Sequence, residues 1–148
     1  MKSVLVDTYA LLAAATGDLT QTAREVFLSL RRGRVRGVVH ALIVFEVLYQ
    51  WRRERLPGFK DEDELYSYLS RVFDTARITE KVVRKAAEVK TVGDDLLRKA
   101  PDPSLRARRL STCDAFTLAI ALDRALPVLS GDRDLAYVAE KLGVKVLW

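Results

Sequence analysis

Four carboxylates stand where their neighbours make them conspicuous. Asp7 closes the apolar run KSVLVD, Glu46 interrupts ALIVFEVLY at Ala41–Tyr49, Asp114 opens TCDAFTLAIAL, and Asp132 follows PVLSG. Carboxylates gathered in one place repel, and each raises the pKa of the others. Such a group is stable mainly when a hard divalent cation neutralises it. The chain holds one His, His40, and one Cys, Cys113. Its ligands would therefore be oxygens, and Mg²⁺ or Mn²⁺ is the matching ion. The chemistry that fits is metal-assisted phosphodiester hydrolysis, in which a water is activated and charge on the phosphate is stabilised.

Each acid also has a plainer explanation. An Asp between a strand and a helix caps free backbone N–H groups, which would account for Asp7, Asp114 or Asp132 taken singly. Glu46 lies in a segment with almost no polar face, so burial is expected, and burial unpaired is costly. An ion pair with Arg52 or Arg53 is the alternative there. The joint pattern carries more weight than any one position.

The elements that must position these acids follow from periodicity and punctuation. Lys2–Asp7, Arg34–Val39, Ala76–Ile78, Pro127–Ser130 and Val144–Leu147 read as strands. Thr8–Ala15, Thr20–Arg31, Ala41–Arg55, Asp61–Phe73, Thr79–Arg98 with a possible break at Gly93, Ser111–Arg124 and Asp132–Leu142 read as helices. APDPSLRARR at Ala100–Arg109, with two prolines, reads as a loop. Strands separated by helices of this length pair in parallel through right-handed crossovers. The expected architecture is a three-layer α/β/α sandwich on a parallel sheet of about five strands, one domain over residues 1–148. Strand C-termini and helix N-termini meet at one edge of such a sheet, which would bring Asp7, Asp114 and Asp132 together.

Composition narrows the class. At 148 residues and 49% hydrophobic content the chain can bury a core without staples. One Cys excludes a disulfide framework and a multi-thiolate zinc site. Asp7 falls inside the only stretch that mimics a signal peptide, and no run approaches the ~18 apolar residues of a membrane span, so a cytoplasmic protein is expected. Asn is absent and Gln occurs twice beside 30% charged residues, a composition expected of a thermophile. Arg outnumbers Lys 17 to 8. Residues 31–60 hold eight basic against two acidic side chains, and residues 98–124 six against three. Two basic stretches suit a phosphate-bearing partner, though a solvated surface with ion pairs explains them equally simply.

VLVDTYALLA at Val4–Ala13, FEV at Phe45–Val47, STCDAFTLAIA at Ser111–Ala121 and VLSGDRDL at Val128–Leu135 together resemble a PIN domain. More narrowly they resemble the VapC-type toxins of toxin–antitoxin pairs, over essentially the whole chain. No single piece is specific; their order and spacing are. The resemblance implies that Asp7, Glu46, Asp114 and Asp132 are the catalytic and metal-binding acids for Mg²⁺ or Mn²⁺. Thr8, Ser130 and Asp134 would be accessory, with a first-turn helix acid the alternative for Asp134. It further implies an endoribonuclease preferring single-stranded RNA, a homodimer or tetramer, and a VapB-like antitoxin whose tail enters the acidic groove. Arg52, Arg53, Arg106, Arg108 and Arg109 are the candidate RNA-binding cations, and basic stretches including Arg31–Arg36 would flank the negative pit. Tyr9 departs from the small residue frequent at its position.

The sequence also admits other roles for its residues. Cys113 and His40 read as packing or structural groups, and Tyr66, Tyr68 and Trp51 as core or dimer surface. A non-catalytic PIN-like module binding RNA or protein, and a housekeeping RNA-processing nuclease, are the functional alternatives. A receiver or phosphatase using Asp7 as nucleophile is disfavoured by Tyr9 and by the absence of a Lys in Ser130–Asp132.

Overall fold

The computed structural model describes residues 2–148; Met1 of the expected 1–148 domain lies outside the described residues. Five strands, β1 (Lys2–Val6), β2 (Val35–Val39), β3 (Asp74–Thr75), β4 (Val128–Leu129) and β5 (Val146–Leu147), form one sheet. All four pairings are parallel, in the order β3-β2-β1-β4-β5. The helices are α1 (Thr8–Thr16), α2 (Gln21–Arg31), α3 (Ala41–Arg52), α4 (Glu62–Val72), α5 (Glu80–Arg98), α6 (Pro103–Arg106), α7 (Thr112–Arg124) and α8 (Arg133–Leu142). Right-handed crossovers put α1–α4 on one face and α5–α8 on the other. The packing agrees: α3 meets α1 and α4, while α5 meets α6, α7 and α8. This is the three-layer α/β sandwich that the spacing predicts.

The chain leaves β1 toward β2 and returns on the other side of β1 with β4. In a parallel sheet that reversal opens a crevice beyond the strands' carboxyl ends. Val4, Leu5 and Val6 are fully buried in the middle of the sheet, and the Asp7 N–H donates to the Leu129 carbonyl at 3.1 Å. A buried apolar strand thus delivers a carboxylate to the mouth of the crevice.

Three expectations need correction. The third strand is Asp74–Thr75 rather than Ala76–Ile78. Phe73 anchors in the core, so pairing begins straight after it, on two exposed polar residues without an apolar signature. The helix expected to reach Arg55 stops at Arg52, since Glu54 takes φ 57° and the chain folds back. Ala100–Arg109 is not all loop: Asp102 caps α6 through the Ser104 N–H, with Pro103 at its first position, a combination that starts helices.

Gly93 does not break α5. It is buried, and a Cβ there would lie 2.8 Å from Leu110 Cδ2 and 3.3 Å from Val138 Cγ1. Ala in place of a helical Gly ordinarily stabilises by about 1 kcal/mol. Leu110 and Val138 are both fully buried, and overpacking of that kind costs about 1–3 kcal/mol. Gly93→Ala is therefore expected to lower stability by roughly 1 kcal/mol in urea unfolding; a stabilised variant would mean that the α5 contact yields freely.

Candidate functional site

Asp7, Glu46, Asp114 and Asp132 all line one cleft of about 500 Å³ at the switch between β1 and β4, together with Thr8, Arg108, Arg109 and Asp134. Each arrives by a different route. Asp7 ends β1, Asp132 follows β4, and α7 presents Asp114 from its first turn. The α3 face carrying Phe45, Glu46, Tyr49 and Gln50 closes the side.

The capping explanation fails for two of the acids and holds for one. The Asp7 side chain makes no cap hydrogen bond; it accepts instead from the Ser130 hydroxyl at 2.8 Å. Asp114 is not the cap of α7. Ser111 takes that role and accepts from the Asp114 N–H at 3.0 Å. Asp132 does cap α8, its Oδ1 accepting from the N–H groups of Asp134 (2.8 Å) and Leu135 (3.1 Å). Ser130 also accepts from the Asp132 N–H at 3.1 Å, so one hydroxyl ties Asp7 to the turn that holds Asp132.

Buried carboxylates without cation partners carry an electrostatic cost. Asp7 is 3% exposed and Asp114 8%. Burial first, then the charges of Asp132 and Glu46, push Asp7 up to about 6, against the pull of the Ser130 hydroxyl and the Thr8 backbone N–H. Burial first, then Asp7 and Asp132, push Asp114 up to about 8. The four acids therefore feel one another across the cleft. Cys113 is driven up as well, by burial and then by Glu46, Asp7 and Asp114; it is a buried, inert thiol.

Glu46 departs from expectation. It is half-buried and open to the cleft rather than sealed in the core, because α3 leaves one face unpacked. Phe45 is 63% and Tyr49 47% exposed on that face. Neither Arg52 nor Arg53 pairs with Glu46. Arg52 pairs with Glu62, and Arg53 lies over the Tyr49 ring. Asp134 is committed to Arg108, whose Nε reaches its Oδ2 at 2.9 Å. Of the candidate RNA-binding cations only Arg108 and Arg109 line the cleft, while Arg106 donates to the Pro101 carbonyl. Arg31–Arg36 do not flank it. Arg31–Arg34 lead into β2 from the sheet's opposite end, about 16 Å of strand away, and Arg36, on β2 itself, is paired with Asp74 of the edge strand β3.

His40 is structural. It is fully buried, its Nδ1 accepting the Leu42 N–H at 3.2 Å and its Nε2 lying 2.8 Å from Thr117 Oγ1. Burial holds it down at about 4. Trp51 gives its indole N–H to the Phe59 carbonyl, whereas Tyr66 and Tyr68 stay substantially exposed. The aromatic cleft wall of Phe45 and Tyr49 escaped the sequence reading. Its signal was available, since positions 45, 46, 49 and 50 share a helical face with the one acid in the segment.

Among the described residues no three His, Cys, Asp or Glu side chains stand grouped so that they could hold a metal ion as they are placed. The donors nonetheless fit a hard divalent cation. They are all oxygens, only Asp132 of the four caps a helix, and the hydroxyl of Thr8, which lines the same cleft, is buried without a hydrogen-bond partner.

These shifts give opposite pH trends. The folded Asp7 and Asp114 bind protons more tightly than the unfolded chain does. Their share of stability is complete below about pH 4 and is lost as pH rises through about 6 and about 8. His40 binds its proton less tightly when folded, so its share is complete above about 6.5 and lost as pH falls toward about 4. Asp114→Asn should raise the melting temperature of the metal-free protein at pH 8 and leave it nearly unchanged at pH 4.5; each kcal/mol relieved is worth roughly 2–4 °C in a chain of this size. A destabilised variant at pH 8 would show the carboxylate to be satisfied as it stands.

The PIN domain family model matches residues 4–141. Among solved structures, VapBC2 from Rickettsia felis, bound to a DNA fragment from its promoter, has a TM-score of 0.65 at 11% identity over 97% of this chain and 96% of that one. FitAcB from Neisseria gonorrhoeae has a TM-score of 0.61 at 15% identity, with 97% and 95% covered. VapC20 from Mycobacterium tuberculosis, a toxin that cleaves the sarcin–ricin loop, has a TM-score of 0.59 at 16% identity, with 90% and 92% covered. At such identities the likeness speaks to fold. No curated protein matches the chain. With the family model reaching four of the five strands and the whole acidic cleft, the chain belongs to the PIN domain family.

Proposed function

We propose that this PIN domain is a divalent-metal-dependent endoribonuclease acting on single-stranded RNA, and the toxin of a VapBC-type pair. The observation that carries the reading is the pair Asp7 and Asp114: buried carboxylates that cap no helix, pair with no cation and are both pushed up, first by burial and then by neighbouring carboxylates. A fold spends stability on such a pair where a cation is to be held.

Asp7, Asp114 and Glu46 are the residues to hold Mg²⁺ or Mn²⁺, with Asp132 kept in place by its own cap of α8. The ion, when bound, would supply an acidified water and neutralise charge developing on the phosphate. Ser130 fixes the Asp7 carboxylate through its 2.8 Å hydrogen bond, and the Thr8 hydroxyl offers one more oxygen beside it. Arg108 and Arg109 on the rim attract the RNA backbone, whose affinity should fall steeply with salt.

The family likeness supports an antitoxin partner, since two of the similar structures are VapBC2 and FitAcB. A VapB-like protein placing a cationic side chain among the four acids would inhibit by taking the metal's place. The exposed apolar side chains Phe45, Tyr66 and Val72 on α3 and α4 suit a homodimer, or a tetramer built from it. One domain over the whole chain, in the cytoplasm of a thermophile, completes the proposal. Among the described residues no helix is long and apolar enough to cross a membrane.

The test is cleavage of a labelled single-stranded RNA in Mn²⁺ and in Mg²⁺. Asp7→Asn and Asp114→Asn should each reduce the rate by at least about a hundredfold, and EDTA should abolish it. Mn²⁺ should also raise the wild-type melting temperature by mass action, and this shift should shrink in both variants. Cleavage that persists in the double variant would overturn the assignment.

A further inference from the structure

We infer that the hollow between Tyr9, Arg108 and Arg133 is a nucleotide subsite, which takes the base next to the scissile bond against the Tyr9 ring and its phosphate against the two guanidinium groups. The inference rests on the nuclease reading and adds to it where the substrate strand leaves the acidic cleft.

The hollow, of about 300 Å³, is lined by Tyr9, Ser104, Leu105, Arg108 and Arg133 beside the Gly131–Asp132 turn. Tyr9, Arg108, Asp132 and Asp134 also line the acidic cleft, so the two spaces adjoin across a shared wall. A strand with one phosphate among the acids has its next nucleotide within reach of this hollow.

The Tyr9 ring is held there by packing. It meets the Trp148 indole edge to face at 5.3 Å between centroids, yet 46% of the residue remains exposed. Gly131 permits this arrangement, because a Cβ would come within 2.5 Å of both Tyr9 Cε1 and Trp148 Cε2. A large ring kept rigid, half-exposed and beside a phosphate-cutting cleft is a stacking platform for an unpaired base.

The two arginines are aimed but not used up. Arg108 gives its Nε to Asp134, and Arg133 gives one terminal nitrogen to Asp102 and Ser104. Their side chains are 61% and 68% exposed. Each anchor orients a guanidinium while leaving other N–H donors for a phosphate oxygen. The Arg133–Asp102 pair, being exposed, is a weak competitor.

Steady-state cleavage of a single-stranded RNA hexamer in Mn²⁺ tests this, with an abasic nucleotide walked along the strand. Tyr9→Ala should raise KM about tenfold or more, as loss of one stacked base does, and leave kcat nearly unchanged; Tyr9→Phe should restore KM. Arg133→Gln should also raise KM and lower the salt slope by about one. One abasic position should cost wild type as much as Tyr9→Ala does, and cost Tyr9→Ala nothing further. In a Trp51→Phe background, oligouridylate should change Trp148 emission only while an aromatic ring stands at position 9. Unchanged KM in both variants of an active enzyme overturns the subsite and leaves the nuclease standing. A raised KM with Arg133→Gln alone overturns the stacking subsite and reduces the hollow to a backbone phosphate contact. A wild type that cuts no RNA overturns both readings.

Discussion

The mutual repulsion of Asp7 and Asp114 is the constraint around which the rest of this molecule is arranged. Two carboxylates taken out of water without a cation between them are unfavourable, and the protein bears that cost through proton uptake until something better arrives. The sheet makes the arrangement unavoidable. Val4, Leu5 and Val6 are locked in the middle of the core, so Asp7 cannot retreat along its strand. Asp114 sits in the first turn of α7, whose next eight residues include six that are buried, so it cannot swing away either. The fold supplies the rigidity that a strained site requires.

Around that pair the neighbouring groups differ in how free they are. Ser130 holds one oxygen of Asp7 and, by accepting the Asp132 N–H on the same hydroxyl, the Asp132 turn. Asp132 divides its carboxylate between α8 and the cleft, and Asp134 is spoken for by Arg108. Glu46 is half-buried, as Asp132 is, but caps no helix, which leaves it the most freedom to adjust. The acids therefore do not form four equal ligands: Asp7 and Asp114 are fixed, Asp132 is braced and Glu46 is adaptable.

Much of this was legible from the sequence, and the parts that were not have physical causes. Parallel strands with long crossovers dictate a common carboxyl edge, so Asp7, Asp114 and Asp132 were placed together by topology alone. The central strands were clear because buried apolar runs advertise themselves. β3 was displaced because its two residues are polar and exposed, and only pairing to Val38 and Val39 defines it. Glu46 was expected to be sealed because periodicity cannot distinguish an apolar helix packed all round from one whose aromatic face stays open. The Arg31–Arg36 stretch was credited to the pit because net charge carries no direction, whereas β2 places it at the sheet's other end.

Proton accounting on cation binding tests the central claim most directly. Mn²⁺ titrated calorimetrically at pH 7, in buffers of differing ionisation enthalpy, must displace the protons that the crowded carboxylates hold. The account predicts net release approaching one proton per ion at pH 7, falling toward zero by pH 9.5, and abolished in Asp114→Asn. Binding with no proton release at pH 7, or no binding at all, would contradict it.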